Sequence, residues 1–357
     1  MRLTVQVKLL PTPEQANALL RTMERFNAAC DALAAVAFAN CCANKAELQK
    51  LAYHPIRRDF GLGAQMTIRA IAKVVEVYKR DKAVQPTFRA HGAIVYDQRI
   101  LSWKGPDRIS ILTNDGRAVM PWVAGAHQHA RLDRVRGQAD LIYRDGKFFL
   151  YVTIDVGDIP PGDPAEYLGV DLGRRNIAAD SDGETFCGAH NANLRDRHAR
   201  LRRKLQRKGT KSAKRLLRAR RRKEARFASD LNHRISKTIV RKATDTGRGI
   251  AIEELKGIRD RTTVQRSQRR AHHSWAFAQL RSYLTYKAAL AAVPLAAVNP
   301  RYTSQTCPGC GCIDRKNRPT RDRFQCTSCG RAGAADITAA ENISRLGARH
   351  GAERRAA

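Results

Sequence analysis

From Tyr302 to Ile343 the chain reads YTSQTCPGCGCIDRKNRPTRDRFQCTSCGRAGAADITAAENI, which contains the strongest chemical signal in the sequence. Two Cys-x-x-Cys pairs lie in this stretch, separated by fifteen residues: Cys307/Cys310 and Cys326/Cys329. Cysteine pairs at this spacing are typical of a four-thiolate zinc ribbon, and a glycine after each pair allows the turn that directs amides at the sulfurs. We therefore predict a structural zinc site at these four cysteines.

Two other residues of the stretch leave alternatives open. Cys312 is a fifth thiol close enough to compete as a ligand, and buried thiols without metal are the simpler alternative for the whole set. Asp336 follows the second pair and opens an alanine-rich segment that we predict to be a helix. A single carboxylate at a helix start is more often a cap than a catalyst, because it offsets the exposed amides and the helix dipole.

The composition indicates a polyanionic partner. The chain has 357 residues, 66 Lys and Arg against 33 Asp and Glu, and a formal net charge of +33. A length of this order predicts about two or three domains. Nucleic acid is favoured over a membrane surface, since no apolar run approaches the ~20 residues of a spanning helix and no signal peptide is visible. Nine cysteines, an odd number, fit a reducing cytosol better than a disulfide scaffold.

The first half of the chain predicts a helical segment inserted into a β-rich one. Residues 3–9 alternate apolar and polar like a strand, and Thr12-Pro13-Glu14-Gln15 has the pattern of a helix capping box. Helical periodicity follows to about residue 85. Beyond it we predict short strands at 94–103, 108–113, 117–123, 139–143 and 148–154, with hairpin turns at Asp115-Gly116 and Asp145-Gly146. A β-barrel completed by the N-terminal strand is the expected topology.

A proline-rich linker at 160–164 precedes the second half. There, apolar strands end in carboxylates at Asp171 and at Glu253. Between them, 17 of the 32 residues in 195–226 are Lys or Arg, and we predict one basic helix that lies along phosphates. We expect a flexible basic loop at 259–270 and a helix at 274–291 that carries Trp275.

Three carboxylates in this order predict a nuclease. The succession of three strands, a basic helix, a strand ending in Glu253, a helix, a strand and a helix starting at Asp336 matches a ribonuclease-H-like α/β domain. In such a domain neighbouring strand ends gather carboxylates, and we expect Asp336, at the helix start, to join Asp171 and Glu253 there. Clustered carboxylates repel one another unless a divalent cation neutralises them, and Mg²⁺ prefers hard oxygen ligands. Two such ions can support in-line hydrolysis of a phosphodiester.

Four motifs in the second half resemble those of one family. GVDLG at 169–173, IAIEEL at 250–255, YTSQTCPGCG with CTSCG, and ADITAAENI at 335–343 are similar to the RuvC-type nuclease motifs and zinc ribbon of TnpB. TnpB is a transposon-encoded, RNA-guided DNA nuclease regarded as ancestral to type V CRISPR effectors. The resemblance extends over essentially the whole chain.

The resemblance implies a domain plan and a site. The implied domains are a β-barrel wedge domain (1–10 and 87–160), a helical recognition domain (11–86), and a RuvC-like nuclease domain (165–357) with basic helix 195–226 and zinc ribbon 301–335. The implied catalytic and magnesium-binding residues are Asp171, Glu253 and Asp336, and the implied zinc ligands are Cys307, Cys310, Cys326 and Cys329. Glu254 stands where the family often has Asp or Asn, so Glu253 is the better assignment.

The resemblance also implies the activity and the partners. We expect a Mg²⁺-dependent endodeoxyribonuclease with a guide RNA that pairs with double-stranded target DNA beside a short flanking motif. We expect it in the cytoplasm of a bacterium or archaeon, near the nucleoid. Thr338 departs from the family pattern, which has asparagine there, and suggests a nuclease-inactive RNA-guided repressor as one alternative. A DNA-strand-transferring transposase and a zinc-ribbon nucleic-acid chaperone are the others.

Overall fold

The computed structural model describes residues 1–132, 135–157, 159–173, 175–254 and 277–356. The chain divides into two compact units, Met1–Asp158 and Ile159–Ala357. Within the described ranges, no helix combines the length and the apolar character that crossing a membrane requires.

Three helices follow the first strand of the N-terminal unit: β1 (Arg2–Leu9), then α1 (Pro13–Ala39), α2 (Lys45–Phe60) and α3 (Ala64–Tyr78). The predicted capping box is present, since Thr12 Oγ1 accepts from Gln15 N at 3.3 Å and Gln15 Oε1 accepts from Thr12 N at 3.1 Å. One apolar face of α1 is buried: Leu19, Met23, Phe26, Cys30 and Leu33.

The same unit contains a seven-stranded sheet that curls until it is nearly closed. Its other strands are β2 (Ile94–Tyr96), β3 (Leu101–Lys104), β4 (Arg108–Thr113), β5 (Gly116–Val123), β6 (Val135–Arg144) and β7 (Lys147–Asp155), and a short helix, α4 (Ala126–His129), lies between β5 and β6. The strand order is β2-β6-β7-β1-β5-β4-β3. Because β2 and β3 are consecutive in the chain yet occupy opposite edges, the two edges must approach each other. Tyr96 on β2 accordingly donates its hydroxyl to the carbonyl of Leu112 on β4 at 3.0 Å.

One strand predicted at 94–103 is in fact two, because Asp97 interrupts it. The carboxylate of Asp97 accepts from the amide of Arg99 at 3.0 Å, which turns the chain between β2 and β3. Arg69 on α3 donates to the same carboxylate through Nε at 2.8 Å, and Asp97 is 7% exposed. A buried charge must be paired, so this contact fastens α3 to the corner of the barrel.

A five-stranded mixed sheet forms the centre of the C-terminal unit. Its strands are β8 (Tyr167–Asp171), β9 (Asn176–Asp180), β10 (Thr185–Cys187), β11 (Gly249–Glu253) and β12 (Leu295–Val298), in the order β10-β9-β8-β11-β12. Strands β8, β11 and β12 run parallel, whereas β9 and β10 run antiparallel to their neighbours. The mixed α/β class predicted for this half of the chain is confirmed.

The basic stretch 195–226 forms parts of two helices, so the prediction of one basic helix is wrong. Helix α5 (Ala189–Lys208) ends at Gly209, whose φ of 64° is left-handed. Helix α6 (Lys211–Asp245) begins at once, with Thr210 Oγ1 accepting from Ala213 N at 3.2 Å. A glycine followed by a capping threonine is a normal helix end and start. The two helices pack along an apolar seam that includes the buried Ala199, Leu205 and Ala213.

The C-terminal end of α6 is fixed to the sheet by charge. Lys242 Nζ lies 2.6 Å from the fully buried carboxylate of Asp180 and 3.2 Å from Asp182. Arg248 donates to both oxygens of Asp182, at 2.8 and 2.6 Å. The turn between β9 and β10 is therefore held against α6.

Helices cover both faces of the sheet. On one face, α6 and helix α7 (Phe277–Leu290) pack on the alternating residues Leu168, Val170, Ile250 and Ile252. On the other face, the last helix, α8 (Ala335–Ala356), packs on a cluster that includes Tyr167, Ala251 and Val298. The predicted loop 259–270 and Trp275 lie outside the described residues.

Helix α8 lies very close to the sheet at Gly169. A Cβ at this position would overlap the carbonyl oxygen of Ala340 and the amide of Ser344, both on α8. Ser344 Oγ also donates to the carbonyl of Tyr167 at 2.5 Å. Gly169, the first glycine of the GVDLG motif, is therefore required for the close approach of the helix and not for a turn.

We expect Gly169→Ala to lower the free energy of unfolding of the C-terminal unit by about 3 kcal/mol or more, because the added methyl must displace helix backbone. Calorimetric unfolding of the full chain measures this loss. Gly162→Ala is the matched control, since its Cβ would meet the Ala292 carbonyl oxygen at an ordinary 3.5 Å. Equal unfolding midpoints for both variants would contradict the close packing.

Candidate active site and four-cysteine cluster

Asp171 and Glu253 stand side by side at the ends of two parallel strands. In the pairing of β8 with β11, Val170 lies opposite Ile252, so the next residue of each strand is an acid. Asp336 lies in the first turn of α8, which packs against β8 and β9. The structure thus gathers the three predicted carboxylates at one edge of the sheet.

Burial and mutual repulsion raise the free energy needed to ionise the carboxyl groups at this edge. Burial raises the pKa of Asp171 to about 7, with the carboxylates of Glu253 and Asp336 adding to the rise. Burial also raises the pKa of Glu253. The guanidinium of Arg318 opposes both shifts and lies 3.5 Å from an oxygen of Asp336. The site therefore favours a bound cation.

Three neutral side chains hold two of the carboxylates in place. Thr303 Oγ1 donates to Glu253 Oε1 at 2.6 Å, and Asn176 Nδ2 donates to Asp336 Oδ2 at 2.9 Å. Asn342 on α8 in turn donates to the carbonyl of Thr303 at 2.8 Å. Sequence reasoning identified the carboxylates but missed Thr303, Asn176 and Arg318. Only Thr303 had a signal, because it belongs to the YTSQTC stretch.

Two residues noted in the sequence point away from the carboxylates. Glu254 pairs with Arg281 of α7, whose NH2 group donates to Glu254 Oε2 at 2.7 Å. This pairing leaves Glu253 as the acid of β11 that interacts with Asp171. Thr338 is buried, and its hydroxyl donates to the carbonyl of Ala334 at 3.0 Å within its own helix start.

The four cysteines of the two pairs converge. All four Sγ atoms lie within 4.8 Å of one another, and those of Cys310 and Cys326 are 3.5 Å apart. In the described part of the chain, this is the one group of three or more His, Cys, Asp or Glu side chains whose ligand atoms meet so closely. Cys312 is outside the group, and its carbonyl accepts from the amide of Cys307 at 2.9 Å.

The backbone around the cysteines suits thiolates. Gly311 and Gly330 have φ angles of 76° and 73°, the turns expected after each pair. The amides of Cys329 and Ser328 point at Cys326 Sγ, each at 3.4 Å, and lower the pKa of that thiol. Tetrahedral zinc with bonds of about 2.3 Å needs sulfurs about 3.8 Å apart, close to the observed separations. The cluster could therefore bind a structural zinc ion.

The cysteine cluster and the carboxylates belong to one continuous structure. Strands β13 (Arg323–Gln325) and β14 (Ala332–Ala334) form a hairpin around the second cysteine pair, and β14 leads directly into α8. The amide of Ala335, the first residue of α8, donates to the carbonyl of Asp322 at 3.0 Å. The hairpin thereby sets the position of Asp336, and the same segment supplies Arg318.

A family described as Cas12f1-like, TNB domain, matches residues 277–343. The chain is 38% identical over 123 residues to the CRISPR-associated endodeoxyribonuclease Cas12f1 of Sulfoacidibacillus thermotolerans, which covers 34% of this chain and 28% of that protein. It is 32% identical over 123 residues to the TnpB-like protein MJ0751 of Methanocaldococcus jannaschii, with 34% and 43% covered. It is 22% identical over 306 residues to the putative RNA-guided DNA endonuclease InsQ of Escherichia coli K12, with 79% and 73% covered.

Among solved structures, the chain aligns with a Cas12f1–sgRNA–target DNA complex at 16% identity and a TM-score of 0.41, over 96% of this chain and 99% of the other. The alignments with two Cas12f1 relatives span 28% and 21% of their length. Relatives that bear the names TnpB-like protein, RNA-guided DNA endonuclease and Cas12f1 confirm the resemblance to the TnpB family that the sequence motifs indicate.

Proposed function

We propose that this protein is a transposon-encoded, RNA-guided DNA endonuclease that cuts target DNA next to a short flanking motif. The observation that carries the proposal is the convergence of Asp171, Glu253 and Asp336 at the ends of β8 and β11 and the start of α8. Burial and the two other acids raise the pKa of Asp171 there to about 7. Buried like charges at one point destabilise a fold and are typical of a catalytic site that binds a cation. The names of the Cas12f1, TnpB-like and InsQ relatives support a guide RNA and a DNA target.

The C-terminal unit would then be a ribonuclease-H-like nuclease domain of the RuvC type. Its sheet supports this assignment, since the parallel strands β8, β11 and β12 are extended on the β8 side by the antiparallel succession of β9 and β10. Asp171, Glu253 and Asp336 would bind Mg²⁺, as two ions, since hard carboxylate oxygens suit this metal. When bound, the ions would activate water and stabilise the leaving oxygen of the phosphodiester.

The surrounding residues would orient the acids and balance charge. Thr303 fixes one oxygen of Glu253 and leaves the other for metal, whereas Asn176 donates to Oδ2 of Asp336 and Arg318 lies 3.5 Å from Oδ1, the oxygen that metal would share with this guanidinium. Arg318 carries a fixed positive charge beside Asp336, where a substrate phosphate would also need compensation. Zinc at the four cysteines would keep the hairpin rigid and so keep Arg318 and Asp336 in place.

The basic hairpin of α5 and α6 would bind nucleic-acid backbone. Glu224 is the carboxylate that pairs with Arg202 and lies 3.5 Å from His198, and these contacts link the two helices. Most other cations of the hairpin are exposed to solvent: Arg197, Arg200, Arg203, Lys204, Arg207, Lys208, Lys211, Lys214, Arg215, Arg218, Lys223 and Arg226. An excess of one sign on an exposed surface favours phosphate binding.

The first test is cleavage by the full chain purified with its bound RNA, using Mg²⁺ and a DNA library. We expect Asp171→Asn to reduce cleavage by about 10³-fold or more while RNA binding is unchanged, because the variant loses a metal ligand but not the phosphate-binding surface. Asp163→Asn, which removes an exposed carboxylate elsewhere in the unit, should cleave like the wild type.

Other outcomes of that experiment identify the alternatives. Target binding without cleavage by the wild type would support the nuclease-inactive repressor. Products joined to new DNA would support a transposase, and the absence of a defined RNA would support a general nucleic-acid chaperone. Equal loss of RNA binding and cleavage in Asp171→Asn would mean that Asp171 is structural.

The raised pKa of Asp171 predicts a gain of stability when the charge is removed. The folded state retains this proton up to about pH 7, whereas an unfolded aspartate loses it near pH 4. Stability therefore falls as pH rises between these values. Without added divalent cations, Asp171→Asn should be more stable than the wild type at pH 8 by about 2–4 kcal/mol, and the difference should vanish near pH 4.

Asp182→Asn provides the control of opposite sign for this calorimetric experiment. Arg248 lowers the pKa of Asp182 to about 2, so its charge stabilises the fold above about pH 4, and removing it should lower stability at pH 8. A loss of stability in both variants at pH 8 would contradict the electrostatic account of the site.

The cysteine cluster predicts about one zinc ion per chain by elemental analysis. Cys326→Ser should lose the metal and unfold at lower temperature, because a structural zinc site contributes directly to folding. Cys312→Ser should keep both the zinc content and the unfolding midpoint of the wild type, since Cys312 lies outside the group. Zinc loss from Cys312→Ser would assign it as a ligand.

A further inference from the structure

Tyr302 has an unusual backbone conformation for an aromatic residue. Its φ of 64° is in the left-handed region, which glycine adopts without strain and other residues rarely do. The residue is also 42% exposed, so burial of the ring does not explain its presence. Strain of this kind persists where surrounding structure enforces it, and it concentrates at functional sites.

The surrounding hydrogen bonds enforce this conformation. The carbonyl of Tyr302 accepts from the amides of Gln305 and Thr306, at 2.9 and 3.0 Å, and from Thr306 Oγ1 at 2.8 Å. Three donors on one carbonyl fix the turn independently of the tyrosine ring. A glycine would satisfy the same turn without strain, so the turn itself does not require the tyrosine side chain.

The turn places Tyr302 at the edge of the candidate active site. The next residue, Thr303, is 4% exposed and donates to Glu253 at 2.6 Å. Asn342 holds the carbonyl of Thr303 from helix α8. Tyr302 is therefore the exposed neighbour of Thr303, whose side chain is hydrogen-bonded to Glu253.

Arg301 completes a binding surface with Tyr302. Its guanidinium lies 4.8 Å from the centre of the tyrosine ring and donates to the ring hydroxyl at 3.0 Å. The amide of Arg301 donates to Asn299 Oδ1 at 3.0 Å, which orders the start of the turn. An exposed aromatic ring beside a cation matches a nucleotide, because the ring stacks on a base and the cation pairs with a phosphate.

We propose that Tyr302 and Arg301 form a nucleotide seat, in which the ring stacks on a base of single-stranded DNA next to the phosphodiester at the carboxylates. This inference rests on the proposed function and adds a substrate-binding subsite to it. Since every base has a π-face, the seat accepts any base and requires an unpaired strand. The seat would hold the DNA strand at the turn of Tyr302 and Thr303, and Thr303 also orients Glu253.

The test measures stacking directly and does not depend on cleavage. The full-length Asp171→Ala chain with its bound RNA is titrated with a set of oligothymidine strands, each carrying one 2-aminopurine at a different position. Stacking quenches the fluorescence of this base, and we expect binding to quench it in each strand of the set, because a site that accepts any base fixes no single register on oligothymidine. Tyr302→Leu should abolish that quenching and weaken binding by about tenfold, whereas Tyr302→Phe should retain both.

Tyr302→Gly separates stacking from folding. Glycine fits a φ of 64°, so this variant should unfold at or above the wild-type temperature and still lose the quenching. Retained quenching in Tyr302→Gly or Tyr302→Leu would overturn the seat. Loss of quenching in Tyr302→Phe, which keeps the ring, would overturn it as well.

The outcomes also distinguish the seat from the proposed function. If the wild type cleaves guided targets but the Tyr302 variants quench 2-aminopurine as the wild type does, the seat is rejected and the proposed function stands. Tyr302-dependent quenching without any cleavage by the wild type would retain the seat as a single-strand binding site and reject the nuclease. In a cleaving enzyme, the seat further predicts that Tyr302→Leu raises KM more than it lowers kcat.

Discussion

The close contact between helix α8 and strand β8 is the constraint on which the C-terminal unit depends. Gly169 has no room for a side chain beneath Ala340 and Ser344, and this proximity carries Asp336 to the edge of the sheet where Asp171 and Glu253 end. Bringing three acids together in a partly dry environment opposes folding. The rest of the unit compensates by packing on both faces of the sheet, by hydrogen bonds to individual carboxylate oxygens and by the positive charge of Arg318.

The cysteine cluster explains how such an arrangement can persist. The segment 299–334, between β12 and α8, has 36 residues and little regular structure, and it would not be rigid by hydrophobic burial alone. With zinc bound, the four converging thiols would form a local cross-link. The hairpin around them continues into α8 without an intervening loop. The geometry of the sulfur cluster and the geometry of the acids are therefore coupled through a few residues of backbone.

The sequence was sufficient to predict features that depend on local chemistry. The capping box at Thr12, the positive-φ glycines at Gly311 and Gly330, and the strands that end in Asp171 and Glu253 follow from short-range patterns. It was insufficient where a distant residue decides the outcome. Asp97, which turns the chain between β2 and β3, can be buried because Arg69, on another element, pairs with it, and Arg318 reaches the acids only through the fold of the hairpin. At Gly209 the local signal for a helix break was present, but the uniform charge around it suggested one continuous helix.

The fixed end of α6 has a mechanical consequence. This helix has 35 residues and extends about 52 Å, with its basic end in the hairpin and its other end held by Asp180 and Asp182 at the turn between β9 and β10. Strand β9 begins with Asn176, which orients Asp336. Because a long helix is stiff, a load applied to the hairpin produces a torque at that turn. The basic surface of the hairpin and the acid of α8 are thus connected through one long helix and one strand.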